Sequence, residues 1–172
     1  MRRWKEREHI QQFVSPHSNV RQDKWGGSLN NRLRFPKTLL KRAKQLVKEE
    51  ADRPFLIGYR FSPEEIEEPG IQLYDTLKLL EQLIYHQVDY LHISTSDVWR
   101  SSIRDSQDSE PVIQKIIKKI NGRVPLIGVG QIKTKQDAQR VLDAGIPLFA
   151  LGKALLLDPD WAEKVVSGRE EE

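Results

Sequence analysis

The sequence predicts an α/β protein built on a parallel sheet. Four short apolar runs, bounded by proline, glycine or polar residues, are typical of buried strands. Each run is followed by a segment in which apolar residues recur every three or four positions, as on one face of a helix. Regular alternation of such strands and helices favours parallel strands joined by helical crossovers.

The first 27 residues show no clean periodicity and are expected to form loops, because Ser15-Pro16, Asn19 and Gly26-Gly27 are turn-forming residues. A long helix is predicted after Ser28, which is a suitable N-cap; alternatively the helix begins near Pro36, because proline weakens the first turns. The predicted apolar face of this helix consists of Phe35, Leu39, Ala43 and Leu46.

The remaining elements follow in regular order. Strands are predicted at 54–61, 88–94, 124–129 and 147–151. Helices are predicted at 74–84 and 112–120, at 134–142 with Thr134 as N-cap, and from Asp158-Pro159 onward. Acidic or polar loops are expected at 63–70 and 94–108.

Composition excludes several classes of protein. The 172 residues contain no cysteine, which excludes disulfides, cysteine-ligated zinc and thiol nucleophiles. No apolar run approaches the roughly 20 residues that span a bilayer, and the N-terminus lacks the apolar part of a signal peptide. The net charge of +3 comes from charges of alternating sign, which are typical of solvated helix faces rather than of nucleic-acid binding. We expect an intracellular, cytoplasmic protein without nucleic-acid or membrane partners.

The histidines give no sign of a metal site. His9, His17, His86 and His92 lack metal-ligand spacing, and neither a zinc-protease motif nor a nucleophile elbow is present. His92 lies on a predicted strand, where we interpret it as a core histidine with satisfied hydrogen bonds.

Candidate binding residues follow the predicted strands, because ligands of parallel α/β folds bind at the carboxyl ends of strands. Arg60 ends the first strand, where it either pairs inside the fold, for example with Asp97, or faces a ligand. The segment Ser94 to Asp97 follows the second strand, Gly130-Gln131 the third and Gly152-Lys153 the fourth. Glycine at these points either allows a phosphate to approach or serves only a tight turn, and Lys153 adds a positive charge.

Two stretches are more specific. The first reads IQQFVSPHSN at 10–19 and continues through WGGS at 25–28. The second reads PLIGVGQI at 125–132, ALGKALL at 150–156 and DPDW at 158–161. Together they resemble the Old Yellow Enzyme family of FMN-dependent NAD(P)H:flavin oxidoreductases.

The resemblance implies the second half of a TIM (β/α)8 barrel, since a complete barrel needs about 200 residues or more. Residues 10–169 are assigned to this half barrel, 1–9 to a non-family N-terminus and 170–172 to an acidic tail. By the resemblance, Arg60 contacts the flavin pyrimidine and ribityl edge. The implied FMN-phosphate loops contain Gly130, Gln131, Gly152 and Lys153. Lys153 stands where the family usually has arginine, and keeps the charge without the two-pronged geometry; Gln131 replaces a common second glycine.

The N-terminal residues depart from the family pattern. The family carries a His-x-x-(Asn or His)-x-Tyr motif before the IQQF stretch, where it binds the substrate carbonyl and donates a proton. This sequence has Arg3, Glu6 and Glu8 in that register, so no catalytic residue is assigned. We expect that the gene is truncated or frame-shifted, with Met1 to His9 read out of frame.

Three functions follow as expectations. The first is an FMN-binding, NAD(P)H-dependent oxidoreductase that reduces activated alkenes or flavin, or the truncated C-terminal portion of one. The second is an inactive half barrel that forms a homo-oligomer or pairs with a separately encoded first half, because an open parallel sheet exposes two edges and one face. The third, a different phosphate-binding barrel such as an aldolase, is disfavoured by the WGGS stretch and by the lack of a strand lysine suited to a Schiff base.

Overall fold

The computed structural model describes residues 9–169. The expectations for residues 1–8, including those for Arg3, Glu6 and Glu8, and for the tail at 170–172 lie outside the described residues. The elements are, in chain order, α1 (His9–Val14), α2 (Leu29–Arg32), α3 (Arg34–Glu50), β1 (Gly58–Phe61), α4 (Leu73–Tyr85), β2 (Tyr90–Ile93), α5 (Val112–Ile120), β3 (Leu126–Val129), α6 (Lys135–Asp143), β4 (Leu148–Ala150), α7 (Lys153–Leu157) and α8 (Trp161–Ser167).

The four strands form a parallel sheet in the order β1-β2-β3-β4. Every strand therefore lies beside the next strand of the chain, with a helical crossover between them, as in successive units of a (β/α)8 barrel. One lateral row of the register contains Arg60, His92, Ile127 and Leu148. This arrangement confirms the predicted α/β class with parallel strands.

The two faces of the sheet differ in burial. Phe61 and Ile93 are buried, and a Cβ on Gly128 would lie 3.3 Å from Val141 of α6, so this face packs on helices. Side chains alternate along a strand, so Arg60 and His92 lie on the opposite face, which is half-buried to exposed. We call the face of the sheet that carries Arg60, His92, Ile127 and Leu148 the open face.

Three local predictions were wrong. The N-terminal region is not all loop, because His9–Val14 forms α1. Strand β1 begins at Gly58 rather than residue 54, and Phe55 is 62% exposed. A continuous helix from Ser28 is interrupted at Leu33, and the long helix α3 begins at Arg34, which confirms the alternative of a start near Pro36; Ser28 caps α2 by accepting a hydrogen bond from the Asn31 N–H. Pro36 lies in the first turn of α3, where a missing N–H costs nothing.

The phase of α3 also differs from the predicted one. Leu39 and Leu46 are 42% and 49% exposed, whereas Leu40 is buried. The N-terminal segment is nevertheless fixed to the domain, because Arg32 donates to the Val14 carbonyl at 2.8 Å and to the Gly27 carbonyl at 2.7 Å. Within residues 9–169 no helix combines the length and the hydropathy needed to cross a membrane.

Candidate functional site

A pocket of about 470 Å³ lies at the carboxyl ends of β3 and β4. It brings together four of the five predicted cofactor-binding residues: Gly130, Gln131, Gly152 and Lys153. Thr95 and Ser96, from the loop after β2, line the same pocket. The two glycine-containing segments, Gly130-Gln131 and Gly152-Lys153, are therefore neighbours in space.

Gly130 is required by the backbone itself. Its φ is +108°, and a Cβ would lie 2.8 Å from the Asp97 backbone nitrogen. The Gly130 carbonyl also accepts a hydrogen bond from the Val98 N–H at 3.2 Å. Gln131 follows with φ +54°, in the left-handed region where a non-glycine residue is uncommon. Gly130 is therefore needed for the tight turn. A glycine at position 131 would remove the conformational strain that Gln131 bears in the left-handed region.

Gly152 is a different case. Its φ is −122°, and a Cβ would meet no atom within 4 Å. Its ψ of −79° lies outside the common helical and strand regions, and the open space around it allows a ligand to approach the backbone. Lys153, the first residue of α7, is exposed beside it, and N–H groups in the first turn of a helix have no acceptor within the helix. This end of the pocket presents the positive charge of Lys153, which suits an anion.

Arg60 lies on the open face, on the far side of β2 from this pocket. Its Nη2 donates a hydrogen bond to Ser94 Oγ at 3.1 Å, and the side chain is exposed. Asp97, the partner considered from the sequence, accepts a hydrogen bond from the Trp99 N–H at 2.9 Å.

His92 lies beside Arg60 in the lateral row. Its Nε2 is buried and has no hydrogen-bond partner among residues 9–169, so the interpretation as a satisfied core histidine was wrong for this atom. Burial first, and the positive charge of Arg60 second, hold the pKa of His92 below its ordinary value. The imidazole is therefore neutral at pH 7 and adds no charge beneath the guanidinium.

A second pocket, of about 430 Å³, lies between the loops that follow β1 and β2. Ser94, Thr95 and Ser96 line it, and Thr95 and Ser96 also border the first pocket. The end of β2 therefore forms a hydroxyl-bearing ridge between the two cavities. We call Ser94, Thr95 and Ser96 the serine ridge.

Glu64, in the wall of the second pocket, was not predicted as a site residue from the sequence. Its side chain is only 1% exposed, and it accepts hydrogen bonds from Arg100 (2.9 Å), Ser102 Oγ (2.6 Å) and the Ile103 N–H (3.1 Å). Burial alone would raise the pKa of Glu64, but these hydrogen bonds outweigh it and lower the pKa. The loop after β1 is thus tied to the loop after β2 by a buried carboxylate. From the sequence, Glu64 had been interpreted only as part of the acidic loop at 63–70.

Within residues 9–169 no group of three or more histidine or acidic side chains could hold a metal ion. The polar side chains that line the two pockets instead include Arg100, three glutamates, two lysines (Lys133 and Lys153) and hydroxyls, and Arg60 is hydrogen-bonded to Ser94 beside them. The first pocket is lined by both lysines and by no acidic side chain, which suits an anion.

Comparison with known proteins gives a consistent result. The chain is 46% identical over 164 residues to NADH:fumarate oxidoreductase of Klebsiella pneumoniae, covering 94% of this chain and 18% of that protein. It is 42% identical over 163 residues to a probable NADH-dependent flavin oxidoreductase of Bacillus subtilis, covering 95% of this chain and 44% of that protein. The chain thus spans less than half the length of these relatives.

The fold matches as well. The Old Yellow Enzyme homologue of Zymomonas mobilis superimposes with a TM-score of 0.69 at 21% identity, covering 92% of this chain and 43% of that chain. The model of the NADH:flavin oxidoreductase / NADH oxidase family matches residues 9–172. The resemblance stated from the sequence is confirmed, and so is the assignment to parallel βα units of a TIM barrel. The chain belongs to the NADH:flavin oxidoreductase / NADH oxidase family.

Proposed function

We propose that this chain binds FMN at the carboxyl edge of its sheet and forms the cofactor-holding part of an NAD(P)H-dependent oxidoreductase. The observation that carries the proposal is the meeting of Gly130-Gln131 and Gly152-Lys153 in one pocket. Two distant segments are thereby assembled into a site whose donors and charge suit a phosphate.

The residues present fit such a cofactor. Gly152 leaves open space where a side chain would obstruct the phosphate, and Lys153 supplies a cation at the same point. The serine ridge lies between this pocket and Arg60, and its Thr95 and Ser96, which line the pocket, offer hydroxyls to a ribityl chain. Arg60 holds a fixed positive charge for an electron-rich edge of the flavin ring. FMN, when bound, supplies the hydride-transfer chemistry; the chain supplies its position and electrostatics.

The proposed substrate of the complete enzyme is a small molecule with an activated alkene, and the proposed electron donor is NADH or NADPH. The name of the Klebsiella relative supports this, since fumarate is an alkene activated by two carboxylates. We assign no proton donor. The positions where the family has its substrate-binding motif lie outside the described residues.

A second candidate function is association through the open face, either with another copy or with a separately encoded barrel half. Leu148, on β4, is 50% exposed, and Leu56, just before β1, is 70% exposed. Apolar residues exposed near both edges of a sheet favour pairing with another chain. Size-exclusion chromatography with light scattering tests this candidate, and a monomer at all concentrations would contradict self-association.

The experiment on the first candidate compares FMN with riboflavin, which lacks the phosphate. Flavin fluorescence is titrated with the wild-type chain and with Lys153→Ala. The proposal predicts saturable FMN binding that is about tenfold weaker in Lys153→Ala, with riboflavin binding unchanged, since a charge-assisted contact is lost. Lys48→Ala, an exposed lysine on α3, is the matched control and should bind like wild type. Equal affinity of wild type for FMN and riboflavin would refute the phosphate site.

A further inference from the structure

We propose that Ser94 is a positioning residue that holds the Arg60 guanidinium in place for the flavin. The inference rests on the proposed function and gives Ser94 a role, which its position after the second strand did not by itself assign. Its basis is the hydrogen bond from Arg60 Nη2 to Ser94 Oγ at 3.1 Å.

The strand register fixes Ser94 independently of this side-chain contact. Arg60 pairs laterally with His92, and Ser94 lies two residues further along the chain. The Ser94 N–H donates to the Phe61 carbonyl at 2.7 Å, so the ladder between β1 and β2 extends to this residue. Positions two apart on a strand share a face. Ser94 is thus a diagonal neighbour of Arg60, on the carboxyl-end side where the two pockets lie.

The Ser94 contact contributes to the direction of the guanidinium, which lies beside a neutral His92. The imidazole lies directly beside Arg60 in the row and is kept neutral by burial and by the arginine itself. Because Ser94 accepts from Nη2, the guanidinium is directed toward the carboxyl ends of the strands. That is the side on which the serine ridge and both pockets open.

Holding an exposed arginine in one place has an energetic consequence. A free arginine side chain loses much rotamer freedom when it is fixed by a ligand. A hydrogen bond formed before binding removes part of this loss, so affinity improves without a new contact to the ligand. Ser94 therefore acts through Arg60, and its effect should vanish when Arg60 is removed.

The test is a double-mutant cycle with FMN as the probe. Ser94→Ala should weaken FMN binding about three- to tenfold and shift the visible absorption band of the bound flavin. Ser94→Thr, which keeps the hydroxyl, should restore both properties. In an Arg60→Met background, Ser94→Ala should have no further effect. Ser109→Ala, which removes an exposed serine hydroxyl from the loop after β2, is the control.

The outcomes separate the inference from the proposed function. If wild type binds no FMN, the proposed function fails. If wild type binds FMN and Ser94→Ala binds equally well, the Ser94 inference alone is overturned. Additive effects of Arg60→Met and Ser94→Ala also overturn it, because they show that Ser94 acts without Arg60. Circular dichroism of each variant identifies loss of fold, and Ser94→Gly, which also removes the hydroxyl, replaces Ser94→Ala in the cycle if Ser94→Ala unfolds.

Discussion

Gly130 packs against Asp97 so closely that a Cβ at position 130 would lie 2.8 Å from the Asp97 backbone nitrogen. The loop after β3 is thereby joined to the loop after β2, and the Val98 N–H completes the contact by donating to the Gly130 carbonyl. The two loops cannot separate to make room for a side chain without breaking this hydrogen bond. The pocket that holds Gly130 and Gln131 therefore depends on a glycine for its shape.

Replacement of Gly130 by alanine should destabilise the fold by about 2 to 4 kcal/mol, because backbone strain and a steric clash combine. Gly145→Ala is the matched control: φ at Gly145 is +85°, but a Cβ there would meet no atom within 4 Å. Gly145→Ala should lower the free energy of unfolding by only about 1 kcal/mol, because backbone strain is its only cost. Urea unfolding followed by circular dichroism measures both. Equal costs for the two variants would show that the close packing at Asp97 contributes nothing.

The glycine-containing part of the site could be predicted from the sequence because it depends on local rules. A short apolar run ending in glycine marks the carboxyl end of a strand, and these ends meet at one edge of a parallel sheet. The pocket formed by Gly130, Gln131, Gly152 and Lys153 follows from that rule. Arg60 was located at the same edge by the same reasoning.

The interactions that build the second pocket could not be predicted in this way. Glu64 meets Arg100 across 36 residues, and nothing in an acidic loop indicates that one carboxylate is buried. The apolar residues Phe55 and Leu56 resemble a buried strand, yet they are exposed before the edge strand β1 begins. Hydrophobic periodicity likewise could not show that Leu40 is buried in α3 while Leu39 is exposed. Each depends on which tertiary neighbours are present.

Glu64→Gln should destabilise the chain by about 3 kcal/mol, because it leaves the partly buried Arg100 guanidinium without its counter-charge. Glu163→Gln removes a carboxylate from an exposed pair with Arg169 and should cost less than about 0.5 kcal/mol. Chemical unfolding at neutral pH compares the two. A loss for Glu64→Gln no larger than for the control would mean that solvent screens the Glu64–Arg100 pair.

The histidine on the open face should make stability depend on pH. Burial first, and Arg60 second, place the pKa of His92 below the 6.5 of an ordinary histidine. Below about pH 6.5 the unfolded chain therefore binds a proton that the folded chain does not. The stability from this group is complete above that pH and is lost as the pH falls toward the folded pKa. His92→Gln should remove this contribution to the dependence of the free energy of unfolding on pH.

The measurement compares wild type with His92→Gln in urea at about pH 8 and about pH 5.5. The difference at pH 8 reports the packing change alone, because imidazole is neutral there in both folded and unfolded chains. At pH 5.5 the variant should have regained stability relative to wild type. Glu64 and Asp137, whose pKa values are lowered, stay ionised across this range and do not confuse the comparison. An unchanged difference at the two pH values would contradict the depressed pKa of His92.

Lys153→Arg should strengthen FMN binding about three- to tenfold. Lysine offers a point charge, whereas the planar guanidinium can donate two parallel hydrogen bonds to a phosphate. The position has room for the longer side chain, because Lys153 is exposed and the neighbouring Gly152 faces open space. Lys153→Met, which keeps the aliphatic stem without the charge, should bind FMN more weakly than wild type. Fluorescence titration gives the order arginine, lysine, methionine for FMN and no order for riboflavin. The same order with riboflavin would show that residue 153 contacts the ring or the ribityl chain and not the phosphate.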